Sequence, residues 1–161
     1  MTVGTTTTNI ESLRAERDIT RLVHDYAAAV DGRDFDAIAD CYWDDGWDDH
    51  APEYDGPVEG YVAWLREVMP PGPVLTHQFG NVRIDVAPDG ESASVDSYCT
   101  STATFPGPAG PGSAPAGWMQ LGLRYLDTVT RRDGRWKFAR RHCRRAWILD
   151  NGVAQAVPPA E

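Results

Sequence analysis

Asp31, Tyr26, His77 and Arg141 are the residues whose side chains combine most readily into chemistry. A carboxylate that orients an imidazole is the minimal equipment for taking a proton from carbon or from water. A phenol and a guanidinium beside it can steady an oxygen that gains negative charge. They come from three separate stretches of the chain. They act together only if a helix and two strands bring them to one place.

The elements that must do this are legible. Thr8-Asn9-Ile10-Glu11 reads as a capping box. Ile19, Leu22, Val23, Tyr26, Ala27 and Val30 then recur on one helical face. Gly32 ends that helix, just after Asp31. Asp34 caps a second helix with Phe35, Ile38, Ala39 and Tyr42 on its apolar side. Trp43 to Asp55 is an acidic, Trp-bearing loop or short strand. Pro57 sits at the first turn of a third helix, with Val58, Tyr61, Val62, Leu65 and Met69 as its stripe and Pro70-Pro71 as its stop.

From Val74 the pattern alternates. Val74–Val86, Ser92–Phe105, Trp118–Thr130 and Trp136–Leu149 read as four long strands. Pro88-Asp89-Gly90 and Arg132-Asp133-Gly134 turn within the outer pairs. The Pro/Gly-rich segment from Phe105 to Gly117 joins the middle strands. Helices followed by a strand meander imply an α+β fold: a cone-shaped half-barrel, with about three helices on the concave face of a bent antiparallel sheet. Residues 1–9 form a loose N-terminus, 10–149 a single domain and 150–161 a tail.

Strand parity adds a constraint. Leu75, His77 and Phe79 have one parity and Val82, Ile84 and Val86 the other. Both sets face inward only if a β-bulge lies between them, at Gly80. Trp136 and Phe138 against Ala139, Arg141 and Cys143 imply a similar shift on the last strand. Asp31 lies at the edge of the first helix's stripe, where it can look into a cavity between helix and sheet. An inward Arg141 needs a partner, either an acid such as Asp96 or a substrate oxyanion. Trp43, Trp47, Trp64, Phe79, Asp96, Trp118 and Tyr125 are candidates for the walls of a substrate pocket. His24 (on a polar helix flank), His50 (in a loop) and His142 (among arginines) are weaker candidates. Asp48, Asp49 and His50 lack a distant third ligand, so no metal site is expected.

The formal charge of −9 argues against nucleic-acid binding. Acidic residues crowd Asp31 to Glu59 and basic residues crowd Arg124 to Arg145. Cys41, Cys99 and Cys143 are odd in number and carry no CxxC spacing, so neither disulfides nor structural zinc is expected. The Thr-rich start is unlike a signal peptide. No apolar run approaches the ~20 residues that span a bilayer. A reduced, cytoplasmic protein with no membrane partner is the expectation.

Several short motifs, in order, resemble the SnoaL-like branch of the nuclear transport factor 2-like superfamily. They are Ile19-x-x-Leu22-x-x-x-Tyr26-x-x-x-x-Asp31-x-x-Asp34, Thr76-His77-x-x-Gly80-Asn81, Arg124-Tyr125-x-Asp127 and Arg132-Asp133-Gly134-x-Trp136-Lys137-Phe138-x-x-Arg141. Within that group the chain is most similar to the dehydratase-like members: hexachlorocyclohexane dehydrochlorinase, scytalone dehydratase and bile-acid 7α-dehydratase. The resemblance implies an Asp31–His77 dyad, with Arg141 at the leaving group or oxyanion and Tyr26 matching the tyrosine of the bile-acid enzyme. It implies no metal or organic cofactor, and a homo-oligomer. The apolar residues Trp118, Leu121, Leu123 and Tyr125 suggest a dimer through the convex face of the sheet.

The expected activity is a cofactor-independent lyase or isomerase acting on a small hydrophobic, even polycyclic, substrate by dehydration or a related elimination. A polyketide-type cyclase or epoxide hydrolase would use the same dyad. A non-catalytic binding or assembly module would keep the fold and hold Asp31 and His77 apart.

Overall fold

The computed structural model describes residues 10–69, 74–105, 117–150 and 153–156. Helix α1 (Ile10–Gly32) buries Ile19, Leu22, Val23, Tyr26, Ala27 and Val30, the stripe that the 3.6-residue period marks out. Helix α2 (Phe35–Asp40) is capped by Asp34, whose carboxylate accepts from the Ala37 N–H at 3.0 Å. Helix α3 (Val58–Val68) buries Val58, Tyr61, Val62 and Leu65. Pro57 is its N-cap, one position earlier than its expected place in the first turn. Thr8-Asn9, Pro70-Pro71 and most of the Phe105–Gly117 connection lie outside the described residues.

The sheet is built from β1 (Tyr42–His50), β2 (Tyr54–Pro57), β3 (Leu75–Val86), β4 (Ser92–Phe105), β5 (Gly117–Arg132) and β6 (Arg135–Asp150) in the order β2-β1-β6-β5-β4-β3. A short β7 (Val153–Ala156) adds to β6, so part of the expected tail is paired strand. The sheet is bent and unclosed, with the helices against it. It is antiparallel except where β1 runs parallel to β6. That junction follows from α2: the helix reverses the chain and lays Tyr42 onward alongside the last strand. The stretch from Trp43, left between loop and strand on sequence grounds, is therefore strand as far as His50.

Both expected bulges are present. The β3–β4 register shifts between Gly80 and Arg83, with Asn81 at φ 50°. Asparagine tolerates this left-handed conformation better than most residues. Leu75, His77, Phe79, Val82, Ile84 and Val86 are consequently all turned toward the helices, and each is partly buried. On β6, Thr128 pairs with Arg140 and Val129 with Phe138, which leaves Ala139 as the extra residue. Phe138 and Arg141 can then both be fully buried.

Asp127, not Asp96, is the partner of Arg141. Its two oxygens accept from Nε at 2.9 Å and Nη2 at 2.8 Å, and both side chains are inaccessible to solvent. The guanidinium lies among aromatic faces, 3.9 Å from the Phe138 ring centroid, 4.1 Å from Tyr26 and 4.5 Å from Tyr125. Burial pushes the Asp127 carboxyl above the ordinary carboxylate value and Arg141 pulls it back. The fork-to-fork bond is the geometry of an ionised pair.

Leu121, Leu123 and Tyr125 do not face outward. They turn toward the helices, which removes them from the convex apolar surface on which the dimer was argued. Asp96 is on the outer side of the sheet, bound by Arg124 at 2.8 and 2.5 Å.

Breaking the buried pair should be costly, because the remaining charge has neither water nor partner. Asp127→Ala is expected to destabilise the fold by about 3–5 kcal/mol in urea titration. The double replacement Arg141→Met with Asp127→Leu should recover much of that loss. A single-mutant effect below about 1 kcal/mol would contradict the pairing.

Candidate active site

Asp31 and His77 meet. His77 Nδ1 lies 2.7 Å from Asp31 Oδ1, and the His77 backbone N–H donates to Oδ2 at 3.0 Å. One carboxylate thus takes both the backbone and the ring of the same residue. The bulge at Gly80 sets the facing of His77, and Gly32 ends α1 so that Asp31 projects from its last turn. Nδ1 turned to a carboxylate is the N–H side of the ring, which leaves Nε2 as the acceptor in neutral imidazole.

The ring of His77 lines a cavity of about 240 Å³ between helices and sheet. Its walls include Val30, Leu65, Leu75, Leu121 and Leu123 with Tyr26, Tyr61, Trp64 and Tyr125. Tyr26 hydrogen-bonds the Tyr61 hydroxyl at 2.7 Å. Burial raises the pKa of both phenols, so they remain hydroxyl donors at neutral pH.

Of the other sequence candidates, Tyr125 is at the cavity wall and Phe79 stands behind it, with ring centroids 5.1 Å apart. Arg141 reaches the cavity only through the rings of Tyr26 and Tyr125. Trp43, Trp47, Asp96 and Trp118 are elsewhere. Trp43 lies under Arg132 and Lys137, and its indole N–H donates to the Thr130 carbonyl at 3.2 Å. Trp47 donates to Asp55 at 2.6 Å and sits beneath Arg140. Trp118 is partly exposed at the start of β5.

A second carboxylate–imidazole pair faces the same cavity and was set aside on sequence grounds. Asp48 is fully buried; one oxygen contacts His50 Nδ1 and the other accepts from the Tyr42 hydroxyl at 2.5 Å. His50 stacks on Tyr61, with centroids 5.1 Å apart, and lies beside Cys143 at the cavity wall. Burial disfavours its charge, but Cys143 and Asp48 outweigh burial and push its pKa up to about 10. The signal that could have found the pair is parity: Asp48 and His50 alternate with Asp49, which pairs outward with His142. It was hidden because the segment was not recognised as strand. No group of three or more His, Cys, Asp or Glu suited to a metal occurs among the described residues. None of the described helices is long and apolar enough to cross a membrane.

Residues 11–142 match the model of the SnoaL-like domain. The chain belongs to the SnoaL-like family. It is 29% identical over 126 residues to the uncharacterized protein Rv2910c of Mycobacterium tuberculosis, across 77% of this chain and 80% of that one. A Novosphingobium aromaticivorans protein with the provisional name scytalone dehydratase superposes with a TM-score of 0.75 at 25% identity, covering 94% of this chain and 98% of its own. The hexachlorocyclohexane dehydrochlorinase LinA-type3 of Novosphingobium barchaimii gives 0.75 at 19% identity, covering 94% and 100%. At that identity the second likeness concerns the fold.

The His50 shift carries a sign. A histidine whose folded pKa lies above its ordinary ~6.5 stabilises the fold fully below that value. The contribution is lost as pH rises toward about 10. The wild-type urea midpoint should therefore fall from neutrality to about pH 10 more steeply than that of His50→Gln. Parallel curves would contradict a charged His50.

Proposed function

We propose that this protein is a cofactor-independent lyase or isomerase in which the Asp31–His77 dyad removes a carbon-bound proton. One observation carries the reading: the His77 ring is clamped by Asp31 through Nδ1 and lines a largely apolar cavity between helices and sheet. A base in a dry pocket is what carbon acids require, because water there would compete for the proton. The SnoaL-like family and the dehydratase and dehydrochlorinase names of its structural neighbours point the same way.

The substrate is a small hydrophobic ketone or hydroxyketone. A cavity of about 240 Å³ is below the ~300–1,000 Å³ of most ligand pockets, which suits one compact ring system better than a polycycle. His77 Nε2 takes the proton next to the carbonyl and Asp31 balances the imidazolium. The same imidazolium then protonates the departing hydroxyl, which leaves as water. Tyr26, held by Tyr61, donates to that oxygen. Arg141 is a positioning residue here, since its guanidinium is locked to Asp127 and packs on the Tyr26 ring.

The test is dehydration of β-hydroxytetralone, whose product tautomerises to naphthol and is read by absorbance. His77→Ala and Asp31→Asn should each lower kcat/KM by about 10²–10⁴-fold. The double mutant should be little worse than either single mutant, because the two act as one unit. Tyr26→Phe should lower kcat with the dyad intact. If folded Asp31→Asn keeps the wild-type rate, the dyad is structural and the reading fails.

A further inference from the structure

Proton removal next to a carbonyl places negative charge on the carbonyl oxygen, and that oxygen needs a donor. It is a different oxygen from the leaving hydroxyl assigned to Tyr26. Besides His77, the basic side chains at the cavity wall, among the described residues, are His50 and Arg145. Arg145 stands at the rim, where its Nη2 donates to Glu53 at 2.6 Å and its side chain is 32% exposed, although its buried Nε has no partner; water screens its charge there. Arg141 is inaccessible to solvent, with Nε and Nη2 on Asp127 and the Tyr26 and Tyr125 rings against its guanidinium. His50 remains.

Its setting is built like that of the first dyad. Asp48 and Arg141 are register partners in the parallel β1–β6 pair, as are Asp49 and His142, so His50 comes to lie beside Cys143. Asp48 takes Nδ1, and Asp48 is itself fixed by Tyr42. The imidazole plane is set by stacking on Tyr61 from α3 and by the Tyr125 edge from β5. The remaining edge of the ring lies beside the Cys143 thiol at the cavity wall. A thiol is a weak hydrogen-bond partner, which a carbonyl oxygen can displace.

We propose that His50, backed by Asp48, is a second catalytic histidine that donates to the substrate's carbonyl oxygen while His77 works on the neighbouring carbon. This rests on the proton-abstraction reading above and adds a substrate requirement: a carbonyl directly attached to the acidic carbon. The step balances. The C–H pair becomes the enol double bond as the carbonyl π pair takes the His50 proton, and His77 holds the proton from carbon. In the second half the enol proton returns to His50, the C=O and C=C bonds form, and the C–O bond breaks. His77 gives its proton to the leaving hydroxyl, so water is the net product and both rings are restored. The groups facing His50 are Asp48, Cys143, Tyr61 and Tyr125 at contact, with Arg141 and Asp127 beyond. The Arg141 and Asp127 charges oppose one another, and Cys143 and Asp48 favour the imidazolium.

The experiment uses para-nitrophenolate as an enolate mimic and its methyl ether, nitroanisole, as the neutral control. Affinities are measured on the full-length protein by calorimetry at a pH where the phenol is ionised. Wild type should prefer the phenolate by at least about tenfold. His50→Gln, whose amide can still bond Asp48, should cut that preference to about threefold or less, and Asp48→Asn should reduce it too. Asp31→Asn should keep it, so the proposal can stand or fall apart from the His77 base. An unchanged preference in folded His50→Gln, or none in wild type, overturns the proposal. Should His50→Gln not fold, histidine ¹⁵N spectra of wild type decide. The His50 ring N–H, assigned by elimination, should move downfield on adding nitrophenolate, and an unmoved signal overturns the proposal.

Discussion

The two hydrogen bonds that the Asp31 carboxylate accepts from His77 tie the C-terminal turn of α1 to the first long strand of the sheet. The bond has a strict geometric requirement. It exists only if α1 ends at the right residue and if β3 presents His77 inward while Val82, Ile84 and Val86 face inward further along. The first condition is met by Gly32 and the second by the bulge after Gly80. A one-residue slip of β3 would turn the imidazole to solvent and bring Thr76 and Gln78 to the core. The apolar face of the strand therefore enforces the position of a polar pair, and core and site are specified by the same residues.

The interior behind that pair is unusually rich in charge. Arg141 with Asp127 and Asp48 with His50 are opposite-sign pairs, each with additional partners. Desolvating such groups is expensive, and burial of this kind is poor evidence for stability alone. Tyr26, Tyr42, Tyr61, Tyr125 and Phe138 surround them, offering ring faces to Arg141 and hydroxyls to one another and to Asp48. The result is a cone whose deep end is a closed, charge-balanced network and whose upper part is an apolar cavity with two imidazoles in its wall.

Much of this was legible from the chain. The α1 stripe, the four long strands and the two bulges follow from periodicity and parity, because every inward position is constrained by burial. Asp31, His77 and Tyr26 were legible for the same reason. The partner of Arg141 was misplaced: Asp96 has the outward parity of β4, whereas Asp127 shares the inward parity of Tyr125. Trp64 does line the cavity, but Trp43, Trp47 and Trp118 were misread because aromatic side chains serve outer surfaces and cation contacts as readily as pockets, as Trp43 and Trp47 do here. Asp48 and His50 were hidden by β1, whose acidic sequence lacks the β-branched residues that mark a strand. Its pairing is decided by contact with β6, which local sequence does not carry.

The most direct test of the account is hydrogen exchange on a simple carbon acid, independent of any leaving group. α-Tetralone is incubated with the protein in D₂O and loss of its α-proton signals is followed by NMR. Wild type should accelerate the exchange, and folded Asp31→Asn and His77→Ala should each return it close to the protein-free rate. Acceleration that survives in both variants, or none by wild type, would contradict the claim that Asp31 and His77 form a working base.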